Sequence, residues 1–120
     1  MPRTAITPQT PKGPFPGTVA ANDLDIAYVA ADAVNLNEAV FQGSRMLLQW
    51  RNTGAGARTV TITSTPDPAS KRSADISAFS SAAGEFGAFL VERNGWQQAD
   101  GKLYFQAEHA EVVFAVLLLP

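Results

Sequence analysis

The chain's 120 residues, 46% of them hydrophobic and 17% charged, predict one domain with a core buried without metal or disulfide staples. The absence of cysteine excludes disulfides, thiol catalysis and thiolate-ligated metals. A net charge of −2 with scattered basic residues gives no electrostatic footprint for nucleic acid.

Residues 1–17 hold five of the eight prolines. Proline fixes φ and lacks a backbone donor, so this stretch predicts an extended arm and excludes a helix or a central strand. The arm is assigned to residues 1–19 and the folded domain to 20–120. Ile6 and Phe15 give the arm something to bury, and they are expected to dock on neighbouring subunits; a solvated tail is the alternative. Leu24 to Ala30, with Leu24, Ile26 and Tyr28 alternating with Asp25, Ala27 and Val29, reads as a strand. Ala31 to Asn37 is ambiguous, with helix-favouring alanines but turn-favouring Asp32, Asn35 and Asn37. Glu38 to Phe41 reads as a short strand ended by Gly43.

The strongest β pattern runs from Arg45 to Thr65. Met46, Leu48 and Trp50 alternate with Leu47, Gln49 and Arg51. Past the turn Asn52–Gly56, Val60 and Ile62 alternate with Thr59, Thr61 and Thr63. Two such runs about a glycine-containing turn predict a hairpin. Val60 and Ile62 would face the core, and the three threonines would face solvent or a partner subunit. Pro66 to Ser73 is a polar loop, and Asp75 to Phe79 a short strand with Ile76 and Phe79 as its candidate core residues. A turn at Ala83-Gly84-Glu85 leads into a strand from Phe86 to Val91. Asn94-Gly95 and Asp100-Gly101 suit type I′ turns, and the second is expected to join Trp96–Gln98 to Lys102–Phe105 as a hairpin. Glu111 to Leu119 is apolar on both faces, which predicts a central, doubly covered strand. Its apolar run is too short to span a bilayer as a helix, and no signal-peptide core precedes the domain, so a soluble protein without a membrane partner is expected. About eight short strands at this spacing predict an antiparallel β-sandwich or jelly-roll-like barrel.

Reactive groups are sparse. His109, the single histidine, stands between Glu108 and Glu111 without a nucleophile motif, and is expected to be a surface turn residue. The acids Asp67, Asp75, Glu108 and Glu111 match no calcium-loop spacing. No pair of carboxylates is singled out for glycoside hydrolysis. No enzyme activity, metal or cofactor is expected. Trp96 and Tyr104 suggest either an exposed platform for sugar rings or, for Trp96, a plug at one end of the sandwich with its indole N–H bonded near the turn.

Taken together, the proline-rich start, Arg51-Asn52-Thr53-Gly54-Ala55 followed by Thr59-Val60-Thr61-Ile62-Thr63, the Pro66-Asp67-Pro68 loop, Gly95-Trp96-Gln97-Gln98-Ala99-Asp100-Gly101-Lys102-Leu103-Tyr104 and the closing Phe114–Pro120 resemble a family of small tailed-bacteriophage virion accessory proteins. The resemblance covers most of the chain and implies a head decoration, or cement, protein. Its expected partners are the major capsid protein and further copies of itself, as a homotrimer. Its expected place is the capsid surface, after synthesis in the host cytoplasm. The resemblance carries no catalytic residue. A carbohydrate- or receptor-binding module using Trp96 and Tyr104, and a tail or head–tail connector component, are the alternatives.

Overall fold

The computed structural model describes residues 3–12, 20–21, 24–66 and 74–119. Among the described residues there are nine strands: β1 (Thr4–Ala5), β2 (Val29–Ala30), β3 (Asn37–Val40), β4 (Arg45–Asn52), β5 (Arg58–Thr63), β6 (Ile76–Ser81), β7 (Phe86–Glu92), β8 (Lys102–Ala107) and β9 (Val112–Leu118). They form two facing sheets, in the orders β1-β3-β8-β5-β6 and β2-β9-β4-β7. All pairings between these strands are antiparallel except β1 with β3, and Gln9 adds an isolated parallel bridge to Leu117. From β2 onward, every connection but β5–β6 crosses from one sheet to the other. That winding is a jelly roll, with β1 added at one edge.

Period-two patterning explains the interior. On β4, Met46, Leu48 and Trp50 are buried, and from the opposite sheet Val60 and Ile62 of β5 are buried against the same core. Phe105 and Phe114 meet at its centre, with ring centroids 4.8 Å apart. β9 lies between β2 and β4, as its doubly apolar sequence requires, and Phe114, Ala115 and Val116 are fully buried.

The sequence expectations for Arg45 to Thr65 are corrected in one respect. β4 and β5 are not a hairpin: β4 pairs with β7 and β9, whereas β5 pairs with β6 and β8. The intervening residues arch over the end of the sandwich. Asn52, fully buried, organises the arch by donating its side-chain amide to the carbonyls of Gly56 (2.7 Å) and Ser81 (2.9 Å) and accepting from the Gly54 N–H (3.0 Å). Alternation reveals which face of a strand is buried and is silent about its neighbour.

The Asp100-Gly101 turn forms, with the Gln98 N–H bonded to the Lys102 carbonyl at 2.8 Å, but Trp96–Gln98 is no strand and β8 pairs with β3 and β5. Asn94 (φ −74°, ψ 119°) and Gly95 (φ 99°, ψ −16°) make a type II turn in place of type I′. Only Val29 and Ala30 of the expected 24–30 strand join a ladder. The ambiguous 31–37 stretch is a turn whose Asp32 carboxylate accepts the N–H groups of Val34 (3.0 Å) and Asn35 (2.9 Å).

The arm contains the largest departure from expectation. Thr4 and Ala5 pair with β3, Ile6 donates its N–H to Glu38 at 2.8 Å, and Ile6 is 2% exposed within the core. Farther on, Gln9 exchanges backbone bonds with Val116 and Leu118 of the other sheet, at 2.8 and 2.7 Å. Its side-chain amide binds both backbone groups of Ala27 (2.6 and 2.9 Å), as a peptide unit would. Residues 4–9 therefore bridge the two sheets along one open side. Proline is compatible with this because Pro8 sits at an edge, where no ladder donor is required.

Candidate functional site

The two outer faces of the sandwich differ in character. On the five-stranded sheet, Lys102 pairs with Glu38 at 2.6 Å, and that carboxylate's hydrogen bond and charge raise the Lys102 pKa. Tyr104 donates its hydroxyl to Asp100, which raises the Tyr104 pKa and lowers that of Asp100. The Arg3 guanidinium lies 4.2 Å from the Tyr104 ring centroid. Thr59, Thr61 and Thr63 complete this face; all three are partly exposed, and the Thr61 hydroxyl accepts the Ala78 N–H at 3.0 Å. Apart from the exposed Val40 of β3, the face is polar, and its charges are paired.

The outer face of the four-stranded sheet is mainly apolar. Alternation turns Leu47 and Gln49 outward from β4, Val113 and Leu117 from β9, and Phe86, Ala88 and Leu90 from β7, with Arg45, Arg51 and Glu92 at the ends of the strands; Ala115 is on the same side but is fully covered. Register places Leu90, Leu47 and Leu117 in one row across three strands. Tyr28 reaches over the sheet, donating its hydroxyl to the Gln49 side-chain Oε1 at 3.3 Å, with its ring 6.5 Å from that of Phe86. Phe86 is still 62% exposed and Leu90 42%. Beside the row, Leu24 and Ile26 stand exposed across a cleft of about 220 Å³ shared with Gln9–Lys12 and Leu117. Apolar side chains contiguous over several strands mark an interaction surface more specifically than scattered exposed ones.

The residues singled out from sequence do not converge. Ile6 is enclosed in the core, which corrects its assignment to a neighbouring subunit; a side chain with 2% exposure has no surface left to offer. Phe15 lies outside the described residues, as do Asp67 and the rest of the 67–73 loop. Trp96 packs against the core at the end of the sandwich, edge-on to Phe89 at 5.2 Å. Tyr104 is engaged by Arg3 and Asp100 on the polar face, so the two rings have separate surroundings. His109 lies in the β8–β9 turn, where its Nδ1 accepts the Glu111 N–H at 3.0 Å. Glu111 is held by Arg58 at 2.8 Å, Glu108 accepts the Thr59 N–H, and Asp75 accepts from Ser64. Among the described residues, no three carboxylate or histidine side chains gather as metal ligands would.

The apolar row was legible in Leu47, Leu90 and Leu117, each at a position alternating with core residues. Alternation marks these positions as outward but does not show that they align across strands. Comparison with known proteins adds no relative: no family model, no curated protein and no solved structure matches the chain.

Proposed function

We propose that this protein is a non-enzymatic structural subunit that binds through the apolar face of its four-stranded sheet, and that it decorates the head of a tailed bacteriophage by seating that face on the major capsid protein. The supporting observation is sidedness. One outer face carries paired charges and threonines, while the other carries the Leu47, Leu90 and Leu117 row with exposed Phe86. A domain free on all sides gains nothing from such asymmetry, whereas a subunit laid on a shell has one covered face and one wet face. The resemblance to virion accessory proteins supplies the identity of the shell.

The test is co-sedimentation with heads that lack the protein. Leu47→Lys with Leu117→Lys, on the apolar face, should abolish binding, and Lys102→Glu, on the polar face, should leave it intact. Equal binding by all three proteins, or none by the wild type, would overturn the reading.

A further inference from the structure

A sandwich has sheet edges, and this chain treats them unequally. At one side, β1 and β2 are only two residues long, and arm residues cover the neighbouring ladder. At the other, β6 is interrupted: its register with β5 shifts between Val60 and Ile62, and Ala78 takes a φ of 50°. Shortness, covering and bulges are the usual means of keeping an edge from pairing with another chain. β7 has none of them. Its seven residues, Phe-Gly-Ala-Phe-Leu-Val-Glu, keep an unbroken register against β4 and contain no proline, lysine or bulge.

The free groups on that edge can be assigned. The bonds from Asn52 N–H to Glu85 carbonyl (3.0 Å) and from Arg93 N–H to Ser44 carbonyl (2.9 Å) place the odd-numbered residues in bonded pairs with β4. In an antiparallel ladder the intervening residues then turn both backbone groups away. Phe86, Ala88, Leu90 and Glu92 are those residues, and among the described residues no strand lies on their side.

We infer that β7 is a pairing edge for a second copy of this chain, joined antiparallel across a two-fold axis so that two four-stranded sheets become continuous. The register follows from the strand itself. Full overlap of β7 with its copy sets Phe89 on the axis, Ala88 opposite the partner's Leu90, and Phe86 opposite the partner's Glu92. All facing even-numbered pairs then have the right orientation to exchange backbone bonds, about eight in total. Charge fits the same register. The Arg51 guanidinium lies over the Phe86 ring, 4.9 Å from its centroid, on the row where the partner's Glu92 carboxylate arrives. A two-residue slip shortens the ladder and separates these charges. The contact is isologous, so it yields a two-fold pair; the homotrimer implied by the resemblance would need a different surface. The inference is independent of capsid binding.

Light scattering on the full chain, with amide hydrogen exchange, tests it. The wild type should show twice its 12.7 kDa mass, with slowed exchange at the Ala88 and Leu90 amides. Ala88→Pro removes an outward donor without touching a bond to β4, and Gly87 before it tolerates the proline. Leu90→Lys puts a charge on the edge without altering the backbone. Each should give a monomer with wild-type circular dichroism and fast exchange at the β7 edge. If Ala88→Pro fails to fold, Leu90→Lys decides. A wild-type monomer or trimer with fast exchange at both amides, or a dimer that survives Leu90→Lys, would overturn the inference.

Discussion

Ile6→Ala probes whether the N-terminal arm is part of the domain. The Ile6 side chain is 2% exposed and lies at the seam between the two sheets. On one flank, Thr4 and Ile6 donate to Leu36 and Glu38 at 2.9 and 2.8 Å; on the other, Gln9 bonds to Val116 and Leu118. With both flanks fixed by backbone bonds, the seam cannot close readily over a missing side chain. Truncating a buried isoleucine to alanine costs about 2–5 kcal/mol, most where collapse is restricted. We expect about 3 kcal/mol, and at about 4 °C per kcal/mol for a chain of this size the melting temperature should fall roughly 12 °C. Urea unfolding followed by tryptophan fluorescence should show a lower midpoint with an unchanged slope. Deleting residues 2–17 removes the same side chain together with its ladder, and should destabilise at least as much. A detachable arm would instead leave the domain untouched. A loss below about 1 kcal/mol for Ile6→Ala would refute the structural reading, since a fully buried isoleucine cannot be so cheap to remove.

Gly87→Ala should destabilise the fold by about 1–3 kcal/mol through overpacking, because a Cβ there would stand 2.3 Å from the Trp50 indole; denaturant unfolding with wild-type stability would contradict this. The same substitution should disturb the bond from the Trp50 indole N–H to Ser81 Oγ (2.9 Å) and shift tryptophan emission. Trp96→Ala should lower the melting temperature, since the ring packs on the core beside Phe89; a stable variant that had lost a measurable glycan affinity would reverse that assignment. The Asp32 carboxyl is lowered from 3.8 to about 2, first by the Asn35 N–H and next by the Thr4 hydroxyl. Its folded-state pKa is depressed, so its contribution to stability is present above pH 4 and is lost as pH falls towards 2. Acid titration of stability should therefore be flatter in Asp32→Asn over that window, and identical profiles would count against the Asp32–Thr4 link.

What the sequence disclosed, and what it withheld, divides along a physical line. Burial was mostly legible: Met46, Leu48, Trp50, Val60, Ile62 and Phe114 all lie inside, as alternation or a doubly apolar run requires, whereas Phe79, expected in the core, is 49% exposed on the bulged edge strand β6, and Ile76 is only partly buried. Pairing was not, because adjacent runs can fold as a hairpin or arch between sheets with the same inward residues. The deciding group at the arch was Asn52, whose buried amide bonds to Gly56 and Ser81; in the sequence it looked like an ordinary turn residue. The arm was misjudged for a related reason. Proline argues against central strands, yet Arg3-Thr4-Ala5-Ile6-Thr7 contains none and ends before Pro8. An edge strand of two residues followed by one buried side chain leaves almost no statistical trace. Of the candidate surface, the outward leucines were visible, but only the register of three strands shows that Leu90, Leu47 and Leu117 form one row.

The arm and the β7 edge are linked by how the chain handles unpaired backbone. A jelly roll built from β2 to β9 alone would leave the β3 edge open and the β9 ladder only partly covered, because β2 supplies just two residues. Thr4, Ala5 and Gln9 fill those positions from the same chain, and the Gln9 amide holds Ala27 where the β2 ladder stops. That side is closed with main-chain bonds and a buried isoleucine, so it is unsuited to recruiting a partner. The opposite side ends on a bulged β6 and an intact β7. The apolar row from Leu117 through Leu47 runs directly to Leu90 on β7, so the open edge and the apolar face meet. Pairing through β7 in that register would set Leu90 opposite the partner's Ala88, so the two leucine rows would lie side by side, two residues out of step, on one continuous face. If the apolar face binds a shell as proposed, two weak contacts would then act as one, since linked sites bind with an effective concentration that single sites lack.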